Sequence, residues 1–134
     1  MADSISEMLR RDIQCEGLLE CFHDLKTIDT QVYQLLNDRE EPLTVDDIAD
    51  EIDRERSTAY RAVQRLLQAG FIQKEQRNYE QGGYYHVYLP RDADEIAQEM
   101  QRTLNDWYAK MGHLIGEFNE KYGDAEDRRL AVDG

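Results

Sequence analysis

The feature that most constrains the fold of this chain is a pair of strand-like runs separated by two glycines. The first run is FIQKEQRNYE, beginning at Phe71, and the second is YYHVYLP, ending at Pro90. Between them lies Gln81-Gly82-Gly83, and glycine supplies the positive φ angle that a tight hairpin turn needs. The sequence therefore predicts a small two-stranded β-hairpin in the middle of the chain.

Two short amphipathic helices are predicted well before this hairpin. The first contains TQVYQLL, takes Asp29 or Thr30 as its N-cap, and ends before Pro42, because proline disfavours helical geometry in its predecessor. The second opens at Thr44, which has Asp47 three residues later in the spacing of a capping box. Both helices are short enough to belong to a compact helical module.

A third helix leads directly into the hairpin. It is predicted to begin between Asp53 and Ser57 and to end at Gly70, since glycine accepts the left-handed conformation that terminates a helix. Its apolar face comprises Ala59, Ala62, Val63, Leu66 and Leu67. Three short helices and a hairpin are typical of a winged helix-turn-helix, whose third helix enters the major groove of DNA. The predicted fold class is mainly α with a small β-hairpin, extended by a long C-terminal helix.

The charge of the chain is unevenly distributed. The formal net charge is −13, with 29 acidic residues against 16 basic ones, yet the window 54–77 holds six basic and two acidic residues and carries +4. A positive patch on an acidic protein indicates a polyanionic partner. A basic stretch can also be an ordinary solvated helix face, and the predicted scaffold favours the DNA interpretation.

The candidate DNA-binding residues follow from that placement. On the recognition helix they are Arg54, Arg56, Ser57, Thr58, Tyr60, Arg61, Gln64 and Arg65, and on the wing they are Lys74, Arg77, Asn78, Tyr79, Gly82, Gly83 and Tyr84. Long donors and hydroxyls of this kind suit base edges and phosphates. We expect Arg61 to contribute to sequence specificity, and Arg65, Lys74 and Arg77 to contact phosphates.

The stretch RSTAYRAVQRLLQAGFI and the wing GGYYHVY resemble the DNA-binding domain of the TrmB-like archaeal transcription regulators. The resemblance extends from about Cys15 to Phe118 and implies a dimeric winged-helix regulator of promoter DNA. Larger TrmB members add a C-terminal sugar-binding domain that this sequence lacks, so a short form without sugar sensing is expected. An acidic surface with 12 Arg and only 4 Lys favours a haloarchaeal member, although an ordinary acidic protein can have this composition.

A long C-terminal helix is predicted between Asp92 and Tyr122, a stretch without proline. Its apolar residues recur every three or four positions, and those predicted at a dimer interface are Ile96, Met100, Leu104, Trp107, Met111, Leu114 and Phe118. A helix of about 30 residues is about 45 Å long, more than so small a domain covers. We expect a homodimer with coiled-coil packing; the alternative is that the helix folds back on its own domain.

The expected organisation has four parts. They are an N-terminal helical segment at 1–27, the winged helix-turn-helix at 28–90, the dimerisation helix at 91–123 and a disordered tail at 124–134. Cys15 and Cys21 are too few for a disulfide scaffold. They are either small buried hydrophobes or a redox-responsive thiol pair. With His23 they offer three metal ligands and no fourth, so no metal site is predicted.

Other function classes find little support. The sequence contains no Ser-His-Asp grouping or glycine-rich phosphate loop, so an enzyme is not expected, and neither a cofactor nor a small-molecule ligand is evident. No apolar run is long enough to span a membrane and no signal segment is present, which predicts a cytoplasmic protein. The sequence thus predicts a sequence-specific regulator that binds double-stranded DNA as a homodimer on a pseudo-palindromic promoter site. The alternative is a winged-helix docking module for another protein.

Overall fold

The computed structural model describes the backbone of residues 17–133 and the side chains of residues 17–123. The elements, in chain order, are α1 (Gly17–His23), α2 (Thr27–Asp38), α3 (Val45–Ile52), α4 (Arg56–Ala69), β1 (Ile72–Asn78), β2 (Tyr84–Pro90) and α5 (Ala93–Asp133). The chain divides into two compact units, one ending at Ile96 and the other beginning at Ala97. The predicted fold class, mainly α with a small hairpin and a long C-terminal helix, is confirmed.

The hairpin has the predicted position and turn. Strands β1 and β2 pair antiparallel, from Ile72 opposite Pro90 to Asn78 opposite Tyr84. Gly82 and Gly83 have φ angles of 99° and 83°, a region that side chains other than hydrogen disfavour. The wing is therefore closed by the two residues that the sequence singled out.

An isolated β-bridge, which the sequence did not predict, attaches the hairpin to the segment before α3. The Leu43 N–H donates to the Tyr88 carbonyl at 3.1 Å, and the Tyr88 N–H donates back to the Leu43 carbonyl at 2.8 Å. Leu43 immediately precedes the N-cap of α3. This bridge fixes the position of the wing relative to the start of α3.

The predicted start of α3 and the predicted end of α4 are confirmed. Thr44 Oγ1 accepts from the Asp47 N–H at 3.1 Å, and Asp47 Oδ2 accepts from the Thr44 N–H at 3.2 Å, which is a complete capping box. Gly70 terminates α4 with a φ of 84°, and its N–H donates to the Leu67 carbonyl at 3.1 Å. The start of α3 and the end of α4 are thus determined by local sequence.

The predicted N-cap of α2 was wrong. The helix begins at Thr27 with Lys26 as N-cap, so neither Asp29 nor Thr30 starts it. Asp29 is the third helical residue, and its Oδ2 accepts the Lys26 N–H at 2.9 Å. An acidic residue is favourable at the N-cap and also at this third position, where it bonds back to the N-cap amide, and the structure uses the second arrangement.

The core of the first unit lies between α2, α3, α4 and the hairpin. The fully or almost fully buried apolar residues include Val32, Leu36, Ile48, Ala59, Ala62, Val63, Leu66, Phe71 and Val87. Of the stripe predicted for α4, only Leu67 is half-buried rather than buried. Phe71, directly after α4, places its ring edge-on against the rings of His23 and Tyr33, with centroids 5.1 and 5.5 Å away. This contact ties the end of α4 to α1 and α2.

Helix α5 continues beyond its predicted end at residue 123. Its backbone is helical through Asp133, so most of the segment 124–134, for which disorder was expected, is helical. The polar composition of this segment is what suggested disorder, but polarity alone does not prevent a helix. It contains no proline, and Glu, Arg, Leu and Ala are strong helix formers even where they are too polar to build a core.

Candidate nucleic-acid interface

All of the predicted recognition residues except Arg54, which precedes the helix, lie on α4. Arg54, Arg56, Ser57, Tyr60, Arg61 and Gln64 are exposed, while Thr58 and Arg65 are half-buried. The opposite face, with Ala59, Ala62, Val63 and Leu66, is buried against the core. The division follows from helical periodicity, since residues three and four apart share a face. The helix therefore presents a continuous row of hydroxyls, an amide and guanidinium groups to solvent.

The predicted wing residues are all exposed as well. They are Lys74, Arg77, Asn78, Tyr79, Gly82, Gly83 and Tyr84. The rings of Tyr79 and Tyr85 lie 4.7 Å apart, and the Tyr84 ring meets the His86 ring edge-on at 5.6 Å. Such aromatic contacts between and along the strands stiffen a two-stranded ribbon that has few other contacts. The wing is thus a hairpin stiffened by aromatic contacts, with Tyr79 and Tyr84 close to its turn.

Recognition helix and wing meet at one cleft of about 480 Å³. It is lined by Thr44, Val45 and Asp46 from the start of α3, Arg56 and Tyr60 from α4, and Tyr79, Tyr84, Tyr85, His86 and Tyr88 from the wing. Four of the predicted DNA-binding residues, on two elements separated in sequence, therefore line a common surface. Phenol hydroxyls and a guanidinium can donate to phosphate oxygens and to base edges alike.

Tyr88 lines the buried side of this cleft. It is 4% exposed, and burial raises its pKa, with nearby Tyr60 adding to the rise and Arg56 opposing it. The phenol therefore stays protonated across the neutral range. It lines the cleft as a neutral phenol.

Half of the cations in the basic window have an ion-pair partner. Arg56 contacts Asp46 at 2.9 Å, Arg65 contacts Asp29 at 2.8 Å and Arg77 contacts Glu75 at 3.4 Å. Among the residues that the structure describes, Arg54, Arg61 and Lys74 have no ion-pair partner. A guanidinium bound to a carboxylate has less charge to offer a phosphate. The effective positive charge of this surface is lower than the count of arginines suggests.

The Arg65 pair is the most buried of these contacts. Asp29 is 0% exposed, and Arg65 donates to it through both Nε and Nη2 at 2.8 Å. The hydrogen bond to Asp29 raises the pKa of Arg65, against the opposing effect of burial. Sequence reasoning assigned Arg65 to phosphate and missed Asp29. A signal was present, because Asp29, Val32 and Leu36 share one face of α2, and a carboxylate on an apolar face needs a cation.

The predicted interface residues on α5 differ in exposure. Ile96 is buried in the first unit and Met100 is half-buried, whereas Leu104, Trp107, Met111, Leu114 and Phe118 are exposed. Tyr108, Ile115 and Tyr122 are also exposed large apolar residues. An apolar stripe of this length along one helix is more than an isolated soluble chain usually leaves in water.

The remaining predicted sites are at the other end of the chain. Cys21 is a free, half-buried thiol on α1, and Cys15 lies outside the described residues. Within residues 17–133, no helix combines the length and the apolar character that crossing a membrane requires.

Comparisons with known proteins agree with this geometry. Residues 19–94 match the family model described as sugar-specific transcriptional regulator TrmB. An uncharacterized protein of Methanocaldococcus jannaschii is 35% identical over 103 residues, which is 76% of this chain and 76% of that protein. A second uncharacterized protein of the same organism is 29% identical over 105 residues, covering 78% of this chain and 86% of its own length.

Solved structures show the same fold. A possible transcriptional regulator from Methanosarcina mazei has a TM-score of 0.70 at 22% identity, covering 87% of this chain and 95% of that one. A mutant of MepR from a multidrug-resistant Staphylococcus aureus clinical isolate has a TM-score of 0.51 at 16% identity, and the match covers 98% of both chains. The winged-helix architecture is thus shared across distant sequences.

Proposed function

We propose that this chain, which belongs to the TrmB family of transcriptional regulators, recognises specific double-stranded DNA sites through α4 and the wing. The family and the winged-helix fold make it a DNA-binding regulator, and the proposal concerns how it binds. The family match covers residues 19–94, the winged-helix part, and so it supports DNA binding without extending sugar binding to this chain.

The observation that carries the proposal is the shared cleft of α4 and the wing. Arg56 and Tyr60 of the helix line it together with Tyr79 and Tyr84 of the wing. In winged-helix complexes with DNA, the third helix occupies the major groove and the wing lies beside it on the backbone or minor groove. A surface on which both elements converge is what simultaneous contact with a duplex requires.

Within that surface, we assign base and phosphate contacts to residues that are exposed and not held in an ion pair within the described chain. Arg61, exposed on α4 and unpaired within the described chain, is proposed to contact a base edge. Arg54 and Lys74, also unpaired there, are proposed to contact phosphates, and Arg77 joins them if it leaves Glu75, 3.4 Å away. Tyr60, Thr58 and Gln64 contribute hydrogen bonds and apolar contacts that do not depend on ionic strength.

We also propose that the regulator is a homodimer formed through the apolar stripe of α5. Leu104, Trp107, Met111, Leu114 and Phe118 are exposed at coiled-coil spacing, and a second copy of the same helix is the partner of matching chemistry. A two-fold dimer presents two recognition helices to successive major-groove faces about 34 Å apart. The expected target is a pseudo-palindrome.

Redox control is a further part of the proposal. Cys21 is half-buried on α1, which leaves its thiol partly accessible to an oxidant. Oxidation of this thiol would then change the affinity of the regulator for its DNA site. Mass spectrometry and operator binding after peroxide treatment test this, and unmodified cysteines with unchanged affinity would exclude it.

The test of the main proposal is selection of bound fragments from sheared genomic DNA, followed by footprinting and stoichiometry. We expect a recurring pseudo-palindromic site protected on two successive major-groove faces by two chains. Recovery of fragments without a common sequence would instead favour a docking module whose partner is a protein.

A further inference from the structure

Arg65 and Asp29 form the most complete side-chain contact between α4 and another helix. Arg65 Nε donates to Asp29 Oδ2 and Nη2 donates to Oδ1, each at 2.8 Å, in a parallel two-bond fork. Asp29 Oδ2 also accepts the Lys26 N–H at 2.9 Å. The carboxylate is 0% exposed and belongs to α2, 36 positions earlier in the chain. The fork therefore crosses from the first helix of the winged domain to the recognition helix.

A fork of this kind is directional in a way that apolar packing is not. Two parallel hydrogen bonds fix the guanidinium plane as well as its distance from the carboxylate. The buried face of α4 consists of Ala59, Ala62, Val63 and Leu66, all apolar and all 0% exposed. Apolar burial stabilises the helix without being directional, and the fork adds a directional restraint on rotation of the helix about its axis.

Arg65 lies next to Arg61 and Gln64, two residues proposed to contact DNA. It follows Gln64 directly and lies one helical turn after Arg61, whereas its own side chain is only 30% exposed. A roll of α4 by a fraction of the 100° step between residues would displace the ends of Arg61 and Gln64 by several ångströms. The rotation of α4 about its axis therefore determines which base edges these side chains reach.

We propose that Arg65 is a positioning residue, which with Asp29 sets the rotation of α4 so that Arg61 and Gln64 meet their base pairs. This inference rests on the proposed DNA-reading function and changes the role expected for Arg65, which is no longer a phosphate contact. A buried ion pair contributes little net stability compared with apolar packing, and fixing one arrangement among several is its best-attested use.

The two possible roles of Arg65, positioning α4 or contacting a phosphate, predict different effects of Asp29→Asn. If Arg65 positions the helix, losing the fork lowers discrimination between the selected duplex and a scrambled one by roughly tenfold, the effect expected of one misplaced base contact. If Arg65 contacts phosphate, Asp29→Asn removes an anion and releases a cation, so affinity for both duplexes rises.

The experiment compares wild type, Asp29→Asn, Arg65→Lys and Arg65→Gln on both duplexes at several salt concentrations, with urea unfolding to verify each fold. Arg65→Lys keeps the charge but loses the fork, and it decides the matter if Asp29→Asn does not fold. We expect all three variants to lose discrimination while the salt dependence of binding to scrambled DNA stays that of wild type. Wild-type discrimination in Arg65→Lys, or a slope about one unit shallower in Arg65→Gln, would overturn the inference.

The wild-type arm separates this inference from the function on which it rests. Failure of wild type to prefer the selected duplex overturns the proposed function itself. Preference by wild type that Arg65→Lys retains in full overturns only the positioning role.

Discussion

Arg56, the first residue of α4, donates from Nε to Asp46 Oδ1 at 2.9 Å within the cleft that α4 shares with the wing. Both side chains are largely exposed, and an exposed pair of this kind contributes roughly 0–1 kcal/mol. A DNA phosphate entering the cleft therefore competes with Asp46 for the same guanidinium. If the cleft binds DNA as proposed, Asp46 lowers the affinity of this surface for a polyanion.

Replacing Asp46 with asparagine should consequently strengthen DNA binding. We expect affinity for selected and scrambled duplexes alike to rise roughly 2- to 10-fold, because an exposed charge acts on phosphates irrespective of sequence. Fluorescence anisotropy with both duplexes measures this. Asp50→Asn is the matched control, since Asp50 is exposed on the same helix and does not line the cleft. Equal gains in the two variants would mean that only net charge matters and that Arg56 is not involved.

The pairing of the cations also predicts the salt dependence of binding. Each phosphate contact contributes about −0.9 to the slope of log K against log salt, so Arg54 and Lys74 alone give about −2 per subunit, whereas adding Arg56 and Arg77 gives about −4. Affinity measured over a range of potassium chloride concentrations yields the slope directly. A value near −4 would show that Asp46 and Glu75 release their partners on binding.

The two glycines of the wing permit a test of the hairpin. A Cβ at Gly82 would meet no atom within 4 Å, so Gly82→Ala is disfavoured only by its φ of 99°. We expect a loss of roughly 1–2 kcal/mol in the free energy of unfolding, the cost of a left-handed conformation for an L-residue, together with weaker DNA binding.

Gly112→Ala is the control for that substitution. A Cβ there also meets nothing within 4 Å, but the residue lies inside helix α5, where alanine is favoured over glycine by roughly 0.5–1 kcal/mol. Stability should therefore change in opposite directions in the two variants. A loss of stability in both would indicate that the space around these glycines, rather than backbone conformation, decides the outcome.

The exposed stripe of α5 predicts how the oligomer responds to charge. Leu114→Asp places a carboxylate among apolar residues that a partner helix would bury, and the unpaired buried charge should shift sedimentation from dimer to monomer. Asn105→Asp introduces the same charge at another exposed position of α5, away from the stripe residues, and should leave the dimer intact. Monomeric wild type, or equal behaviour of the two variants, would contradict assembly through this stripe.

Local signals in the sequence predicted those parts of the fold that local chemistry determines. The Thr44–Asp47 capping box, the end of α4 at Gly70 and the turn at Gly82-Gly83 depend on residues a few positions apart, and all three are present. The order of helices and hairpin followed from these boundaries. The bridge between Leu43 and Tyr88 was missed because a single pair of strand residues has no periodicity.

The electrostatics of the site depended on contacts distant in sequence and could not be predicted in the same way. Counting cations in the window 54–77 placed five of the six correctly on α4 and the wing but treated each as free. Asp29 lies 36 positions before Arg65, and Asp46 lies 10 positions before Arg56. Only the assembled fold shows that these acidic residues bind the arginines on the surface proposed to meet DNA.

The central claim, that α4 and the wing distinguish DNA sequences, is tested most directly by equilibrium titration with a selected duplex and a scrambled one. Wild type should prefer the selected duplex by at least about 10³-fold. Arg61→Ala should lose roughly 1–3 kcal/mol on that duplex alone, while the control Arg102→Ala, an exposed arginine of α5, should bind as wild type does. Equal affinity of wild type for both duplexes, or undiminished binding by Arg61→Ala, would contradict the claim.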